Sequence, residues 1–221
     1  MKYKAIIFDM DGTIIDTEHI WEHATRIVIK RHSAIVLSEE EERELRFKIT
    51  GLNNAKVCQL IIDLFKLTVP LEHLMKEKSL IAHDLYEKHV RFMDGFTEFH
   101  NKARALNMKT AVATNAVYET VHITDKKLNL KQFFGEHLYS ISDVDNIGKP
   151  SPLIYRYAAH RLDVNPEQCI AIEDSAHGIT AARAAGMFCI GFNGAGRPDQ
   201  VHKSHLIVDR FGDIDLNGLL V

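Results

Sequence analysis

Short apolar runs of β type recur along the chain: Tyr3 to Phe8, Lys109 to Thr114, Leu138 to Ser140, Cys169 to Glu173, Phe188 to Phe192, and a weaker one at Leu206 to Val208. Most of them are separated by stretches with helical spacing. This alternation predicts an α/β fold, a doubly wound parallel sheet with helices on both faces and a ligand site outside the carboxyl ends of the strands. About a hundred residues separate the first two runs, far more than one crossover requires. That interval reads as helix after helix. Ile20, Ala24, Ile27 and Val28 share a face, as do Val57, Leu60, Ile61 and Leu64, and again Leu71, Leu74, Met75, Ile81 and Leu85, so each helix has one side to bury. The expected organisation is a core domain of residues 1–16 and 92–221 interrupted by an inserted α-helical domain of residues 17–91. The acidic run Glu39 to Glu42 follows Ser38, a good N-cap, and places negative charge at the positive end of a helix, which is a stabilising arrangement.

Composition narrows the classes of function. With 221 residues the chain can bury a sizeable core without covalent staples. Its 27 Lys and Arg against 30 Asp and Glu give a net charge of −3, so no basic surface is expected for nucleic acid or anionic lipid. Cys58, Cys169 and Cys189 lie far apart in apolar runs, the pattern of buried thiols in a reducing compartment rather than of disulfides or a CxxC metal site. The N-terminus enters a strand almost at once, and no apolar run approaches the ~20 residues of a membrane span. The expectation is therefore a cytoplasmic protein with no membrane partner and no nucleic-acid partner. Thirteen histidines are scattered without HxH or HExxH spacing, and none is a first-choice metal ligand.

The chemistry gathers at the predicted strand ends. In "AIIFDMDGTIID", Asp9 and Asp11 are two residues apart on extended chain, so both carboxylates can face one small site. Gly12 permits a tight turn after them, and Thr13 offers a hydroxyl and an amide. The second strand finishes in Thr114 and Asn115, groups suited to phosphate oxygens. In "GKPSP", Pro150 and Pro152 hold Lys149 on a stiff turn where its ammonium can meet an anion. A later strand ends in Glu173 and Asp174, with Ser175 placed to cap the helix that follows. Asp9, Asp11, Glu173 and Asp174 would bring up to four negative charges together, which repel unless a cation joins them. Ligation by oxygen alone points to a hard cation, Mg²⁺ before Zn²⁺. Mg²⁺ together with Lys149 also relieves the repulsion met by a carboxylate that attacks an anionic phosphoryl group.

The set DxDGT, a strand ending in Thr, Lys before Pro and a late Glu-Asp pair resembles the haloacid dehalogenase superfamily. The stretches "EDSAHGITAARAAGM" and "GKPSP" are similar to its phosphatase and β-phosphoglucomutase branch, in which a helical cap follows the first motif, and the resemblance covers essentially the whole chain. It implies that Asp9 is the nucleophile that forms an aspartyl phosphate and that Asp11 is the general acid and then the general base. It further implies that Mg²⁺ is held by Asp9, the backbone carbonyl of Asp11 and Asp174, with Glu173 supporting through water, and that Thr114, Asn115 and Lys149 hold the phosphate. The expected function is a Mg²⁺-dependent phosphatase acting, as a monomer, on a small phosphorylated metabolite such as a sugar phosphate.

Asp11 separates the chain from two other branches. Phosphonoacetaldehyde hydrolases have a small apolar residue there and a cap lysine where Asn54 stands, and haloacid dehalogenases proper, which attack carbon, lack that aspartate. β-Phosphoglucomutases carry a cap arginine near "GLNNAK", where this chain offers Asn53 and Asn54 with Lys56 as a substitute, so a mutase is the alternative reading. A catalytically silent phospho-ligand sensor should have lost one of Asp9, Asp11, Lys149 or Asp174, and all are present. The asparagines of the Gly51 to Lys56 stretch suit a hydroxyl-bearing ligand. Three signals carry no site: "GFNGAG" before Pro198 reads as a turn, Trp21 beside His19 as packing within the cap, and His177 as a bystander.

Overall fold

The computed structural model describes residues 2–33, 35–49, 52 and 54–220. In chain order its elements are β1 (Ala5–Phe8), α1 (Glu18–Ser33), α2 (Glu39–Ile49), α3 (Asn54–Phe65), α4 (Leu71–His89), α5 (Phe96–Ala105), β2 (Lys109–Ala113), α6 (Tyr118–Leu128), α7 (Lys131–Phe134), β3 (Leu138–Tyr139), α8 (Leu153–Arg161), β4 (Cys169–Glu173), α9 (Ala176–Ala184), β5 (Phe188–Phe192), α10 (Pro198–Val201), β6 (Leu206–Val208) and α11 (Leu216–Leu220). The chain divides into two compact units, one made of residues up to Asp16 and from Arg91 onward, the other of Thr17–Val90. Among the described residues no helix is long and apolar enough to cross a membrane.

In the first unit the six strands form one parallel sheet in the order β3-β2-β1-β4-β5-β6. β1 lies between β2 and β4, with Phe8 level with Val112 on one side and Ile172 on the other. The strand order reverses at β1, so its carboxyl end faces the crevice where open α/β sheets bind ligands. The pleat gives β1 two different faces. Ala5 and Ile7 pack with Ala111, Ala113, Ala158, Ala159, Ala181 and Ala182, small side chains that let α8 and α9 lie close on the sheet. Phe8 turns to the opposite face and meets the rings of Phe96, Phe99, Phe134 and Phe211.

One polar side chain stands in that aromatic layer. His100 of α5 is fully buried among the rings of Phe8, Phe96, Phe133 and Phe134. Its Nε2 lies 3.0 Å from the Thr110 hydroxyl, and its Nδ1 is buried with no hydrogen-bond partner among the described residues. Burial, aided by the Arg104 charge, pushes its pKa down from 6.5 to about 4.

The two chain crossings beside the second unit are fastened within the first. The Asp16 amide donates to the Arg91 carbonyl at 3.1 Å, the Met93 amide donates to the Ile14 carbonyl at 2.9 Å, and the Arg91 guanidinium donates to the Asp16 carboxylate at 2.6 and 3.1 Å.

The second unit holds α1, α2, α3 and α4 around Val28, Ile29, Leu45, Cys58, Ile61, Leu67 and Leu74, with Ile20, Ala24, Ala82 and Leu85 forming a second cluster. α2 begins with a reciprocal cap in which the Ser38 amide donates to the Glu41 carboxylate and the Glu41 amide donates to Ser38 Oγ. Of the stripe predicted for α3, Val57 and Ile61 are buried, whereas Leu64 is 45% exposed, and Cys58, Ile62 and Phe65 join Ile61 against the cluster. Trp21 is 41% exposed and lies under the Lys78 ammonium, 5.5 Å from its ring centre, rather than packing as an apolar core residue. Gly51 and Asn53 lie outside the described residues. The Asn54 amide donates to Ser79 Oγ at 3.2 Å and to the Met75 carbonyl at 3.4 Å. All three cysteines are free and buried.

Candidate active site

The carboxyl ends of the strands carry the polar groups read from the sequence. β1 stops at Phe8, and Met10 then anchors a tight loop: its carbonyl accepts from the amides of Ile14 and Ile15, both at 3.0 Å, while the Gly12 amide donates to Ile15 at 2.8 Å. Met10 is fully buried, which fixes Asp9 and Asp11 on either side of it. Asp9 is buried and Asp11 is half-buried. Gly12 takes φ +86°, and a Cβ there would collide with the Asp174 carboxylate, so the loop needs glycine for both conformation and space. Thr13 is fully buried, and its hydroxyl has no hydrogen-bond partner among the described residues.

Lys149 sits at the centre. Its ammonium donates to Asp9 Oδ1 and to Glu173 Oε1, both at 2.5 Å, and it lies 4.9 Å from the centre of the Tyr155 ring. The two carboxylates overcome its burial and raise its pKa, so it stays charged. Asn115 Oδ1 accepts from the Lys149 amide at 2.8 Å, and its Nδ2 donates to the Lys149 carbonyl at 3.5 Å, so this side chain holds the lysine backbone. Thr114 Oγ1 accepts from the Ala116 amide at 3.0 Å, which leaves its hydroxyl proton to donate.

Glu173 and Asp174 follow in sequence and have different surroundings. Every acceptor direction of the fully buried Glu173 is used: Oε1 takes Lys149 and the Tyr155 hydroxyl at 2.9 Å, and Oε2 takes the Ser175 amide at 3.2 Å and its hydroxyl at 3.0 Å. Ser175 Oγ also accepts from the Gly178 amide and so caps α9. Asp174 Oδ2 accepts from the Arg197 guanidinium at 3.2 Å. Burial, with the Glu173 charge, raises the Asp174 carboxyl to about 7, while Arg197 and Lys149 pull it down. Burial likewise pushes the Asp9 carboxyl well up, against the pull of Lys149.

These are the electrostatics of a place prepared for a cation. Oxygen atoms of Asp9, Glu173 and Asp174 all lie within 4.8 Å of one another, a set without nitrogen or sulfur donors. Among the described residues these three buried carboxyl groups pair with the charges of Lys149 and Arg197. The donor set therefore fits a hard divalent ion such as Mg²⁺, with Asp9 and Asp174 better disposed than Glu173, whose oxygens are engaged elsewhere. The carboxylate of Asp11 is not in this group.

Two neighbours escaped the sequence. Tyr155 reads there as one more large residue on the buried stripe of α8. Arg197 follows the glycine-rich stretch, which is a turn in the structure with Gly196 at φ +67°, and only the path of that turn brings the guanidinium back to Asp174. His177 is exposed on the first turn of α9.

A protein-family model described as haloacid dehalogenase-like hydrolase matches residues 3–186. The 6-phosphogluconate phosphatase of Escherichia coli is 31% identical over 191 residues, 84% of this chain and 80% of that one. The phosphorylated carbohydrates phosphatase of Thermotoga maritima is 27% identical over 184 residues, 83% of this chain and 82% of that one. Among solved structures, a conserved haloacid dehalogenase-like protein of unknown function from Agrobacterium tumefaciens superposes with a TM-score of 0.76 at 25% identity, over 99% of this chain and 97% of that one. With its sheet order, its strand-end carboxylates and a family match over most of its length, the chain is an enzyme of the haloacid dehalogenase-like hydrolases.

Proposed function

We propose that the protein is a phosphatase that hydrolyses a small phosphorylated metabolite, a monoester of the sugar-phosphate kind, through an aspartyl phosphate. Asp9 Oδ attacks phosphorus and the bond to the leaving oxygen breaks; Asp11 delivers the proton that makes this oxygen an alcohol. Water then attacks the acyl phosphate, Asp11 takes up its proton, and inorganic phosphate leaves with the Asp9 carboxylate restored. Lys149 and the Thr114 hydroxyl hold the phosphoryl oxygens, and Asn115 serves by fixing the Lys149 backbone. Mg²⁺ would be held by Asp9, Asp174 and the backbone carbonyl of Asp11, and would supply charge neutralisation at the phosphoryl oxygens. Glu173 acts behind this layer as the counter-ion of Lys149.

The observation that carries the reading is the buried Lys149 ammonium, shared at 2.5 Å by the strand-end Asp9 and by Glu173. This supports the reading, because a strand-end carboxylate able to attack phosphorus lies beside a cation able to bind its oxygens. The relatives named as phosphatases of phosphorylated sugars and metabolites support the substrate class. The test is release of inorganic phosphate, with Mg²⁺ and with chelator, across sugar phosphates, nucleoside monophosphates, phosphoglycolate and β-glucose 1-phosphate. Metal-dependent release from one compound is expected, and Asp9→Asn should abolish turnover while the melting curve stays cooperative. Activity retained by Asp9→Asn would remove the nucleophile from the scheme, and conversion of β-glucose 1-phosphate to glucose 6-phosphate without release would make the enzyme a mutase.

A further inference from the structure

Lys149 must serve two partners if it holds a phosphoryl group: Asp9 before the substrate arrives and a phosphoryl oxygen afterwards. A lysine stem has four rotatable carbon–carbon bonds, and a glutamate that merely followed the ammonium would leave it without a fixed point. The structure removes both freedoms. Asn115 clamps the Lys149 backbone at its amide and carbonyl. Glu173 cannot follow, because Ser175 holds one of its oxygens and the Tyr155 hydroxyl holds the other at 2.9 Å. Gly178 leaves the carboxylate room to lie against α9, where any Cβ would collide with it.

Tyr155 acts on this assembly twice. Its hydroxyl donates to the same Glu173 oxygen that receives Lys149, and its ring face lies 4.9 Å from the ammonium. It has no exposed surface, so its hydroxyl would be an unmet donor in the core without the carboxylate. Phenylalanine would fill the same space on α8 and complete the same apolar cluster. What tyrosine adds is the bond to Glu173.

We propose that Tyr155 is a positioning residue that locks Glu173 as a fixed pivot, so that the Lys149 ammonium swings between Asp9 and the phosphoryl group without losing its counter-ion. The second half of this statement rests on the phosphatase reading; the lock itself does not. Y155F keeps the ring and removes only the hydroxyl. Two readouts separate the ideas. The first is hydrogen exchange of the Lys149 ammonium, followed by ¹⁵N NMR in the enzyme without substrate. The second is the affinity for inorganic phosphate in the presence of Mg²⁺, measured by calorimetry.

Loss of one hydrogen bond to a charged group predicts about tenfold faster exchange and about tenfold weaker phosphate binding in Y155F. In an E173Q background, where the charged pivot is gone, Y155F should change neither further. Unchanged exchange in Y155F, or an equal effect in the E173Q background, overturns the lock. Faster exchange in a protein that neither binds nor releases phosphate keeps the lock and removes the phosphatase reading, whereas phosphate release with unaltered Y155F behaviour does the opposite. If Y155F proves too unstable to compare, 3-fluorotyrosine at position 155 preserves the fold and donates more strongly, so exchange should slow; no change there also overturns the lock.

Discussion

His100 gives the fold an acid-sensitive point far from the strand-end carboxylates in sequence. Folded, the imidazole stays neutral until about pH 4; in the unfolded chain it takes up a proton near pH 6.5. The unfolded state therefore binds more protons between these values, and the stability associated with neutral His100 is lost as pH falls through that window. At about 1.4 kcal/mol per pH unit the full loss is about 3 kcal/mol, of which about 2 kcal/mol falls between pH 7 and pH 4.5. The fully raised Asp174 carboxyl, at about 7, works in the opposite direction, so the curve of the wild-type protein alone does not isolate the histidine. A difference does. His100→Phe keeps a ring among Phe8, Phe96, Phe133 and Phe134 and removes the titrating nitrogen. Losing the bond to Thr110 shifts its stability by a constant, whereas lowering the pH from 7 to 4.5 should move wild type down relative to the variant by about 2 kcal/mol. Urea unfolding of both proteins at several pH values measures this directly. Parallel stability curves would show that His100 accepts a proton in the fold as readily as outside it, and the account of its burial would be wrong.

Gly178→Ala places a Cβ against the Glu173 carboxylate, which four donors hold in place, so the N-terminus of α9 has to move; a loss of about 2 kcal/mol is expected in chemical unfolding, while Gly212→Ala, which meets open space, should be close to neutral. Burial raises the Cys169 thiol to about 12 and pushes Cys189 and Cys58 up as well, so thiol reagents should leave all three unmodified in the native protein and titrate three in denaturant. Fast labelling of the folded protein would show that one of these cysteines is accessible.

The fold was legible because each strand is a short apolar run closed by a polar residue, and the parallel sheet follows from helices between those runs. Three predicted runs coincide with the observed strands β4, β5 and β6, and the other three exceed them by one or two residues, as at Thr114 and Ser140, whose side chains cap the turns that follow. On α3 the predicted Val57 and Ile61 are buried, but Leu64 is exposed and Cys58 faces the cluster, because spacing alone does not fix which edge of a stripe turns inward. At the candidate site the charged residues announced themselves by type and spacing. Their partners did not. Nothing in "NAVY" says that the Asn115 amide will grip the backbone of a residue 34 positions later, and a tyrosine on an apolar helical face looks like packing until its hydroxyl is seen on Glu173. Such pairings are set by the tertiary path, which local patterns do not encode.

The fastening of Asp16 to Arg91 has a consequence for how the chain can be cut and rejoined. Because the Asp16 amide and the Arg91 carbonyl are 3.1 Å apart, everything from Thr17 to Val90 leaves and returns at one point on the surface of the first unit. A linker of a few residues can span that gap, so the helical segment is a replaceable module and the sheet does not depend on its length for register. Shortening the connection between β1 and β2 roughly fourfold also lowers the entropy cost of closing it by about 1 kcal/mol. The joint between Asp16 and Arg91 is therefore the place to connect β1 to α5 directly when the sheet is to be tested without the helical segment.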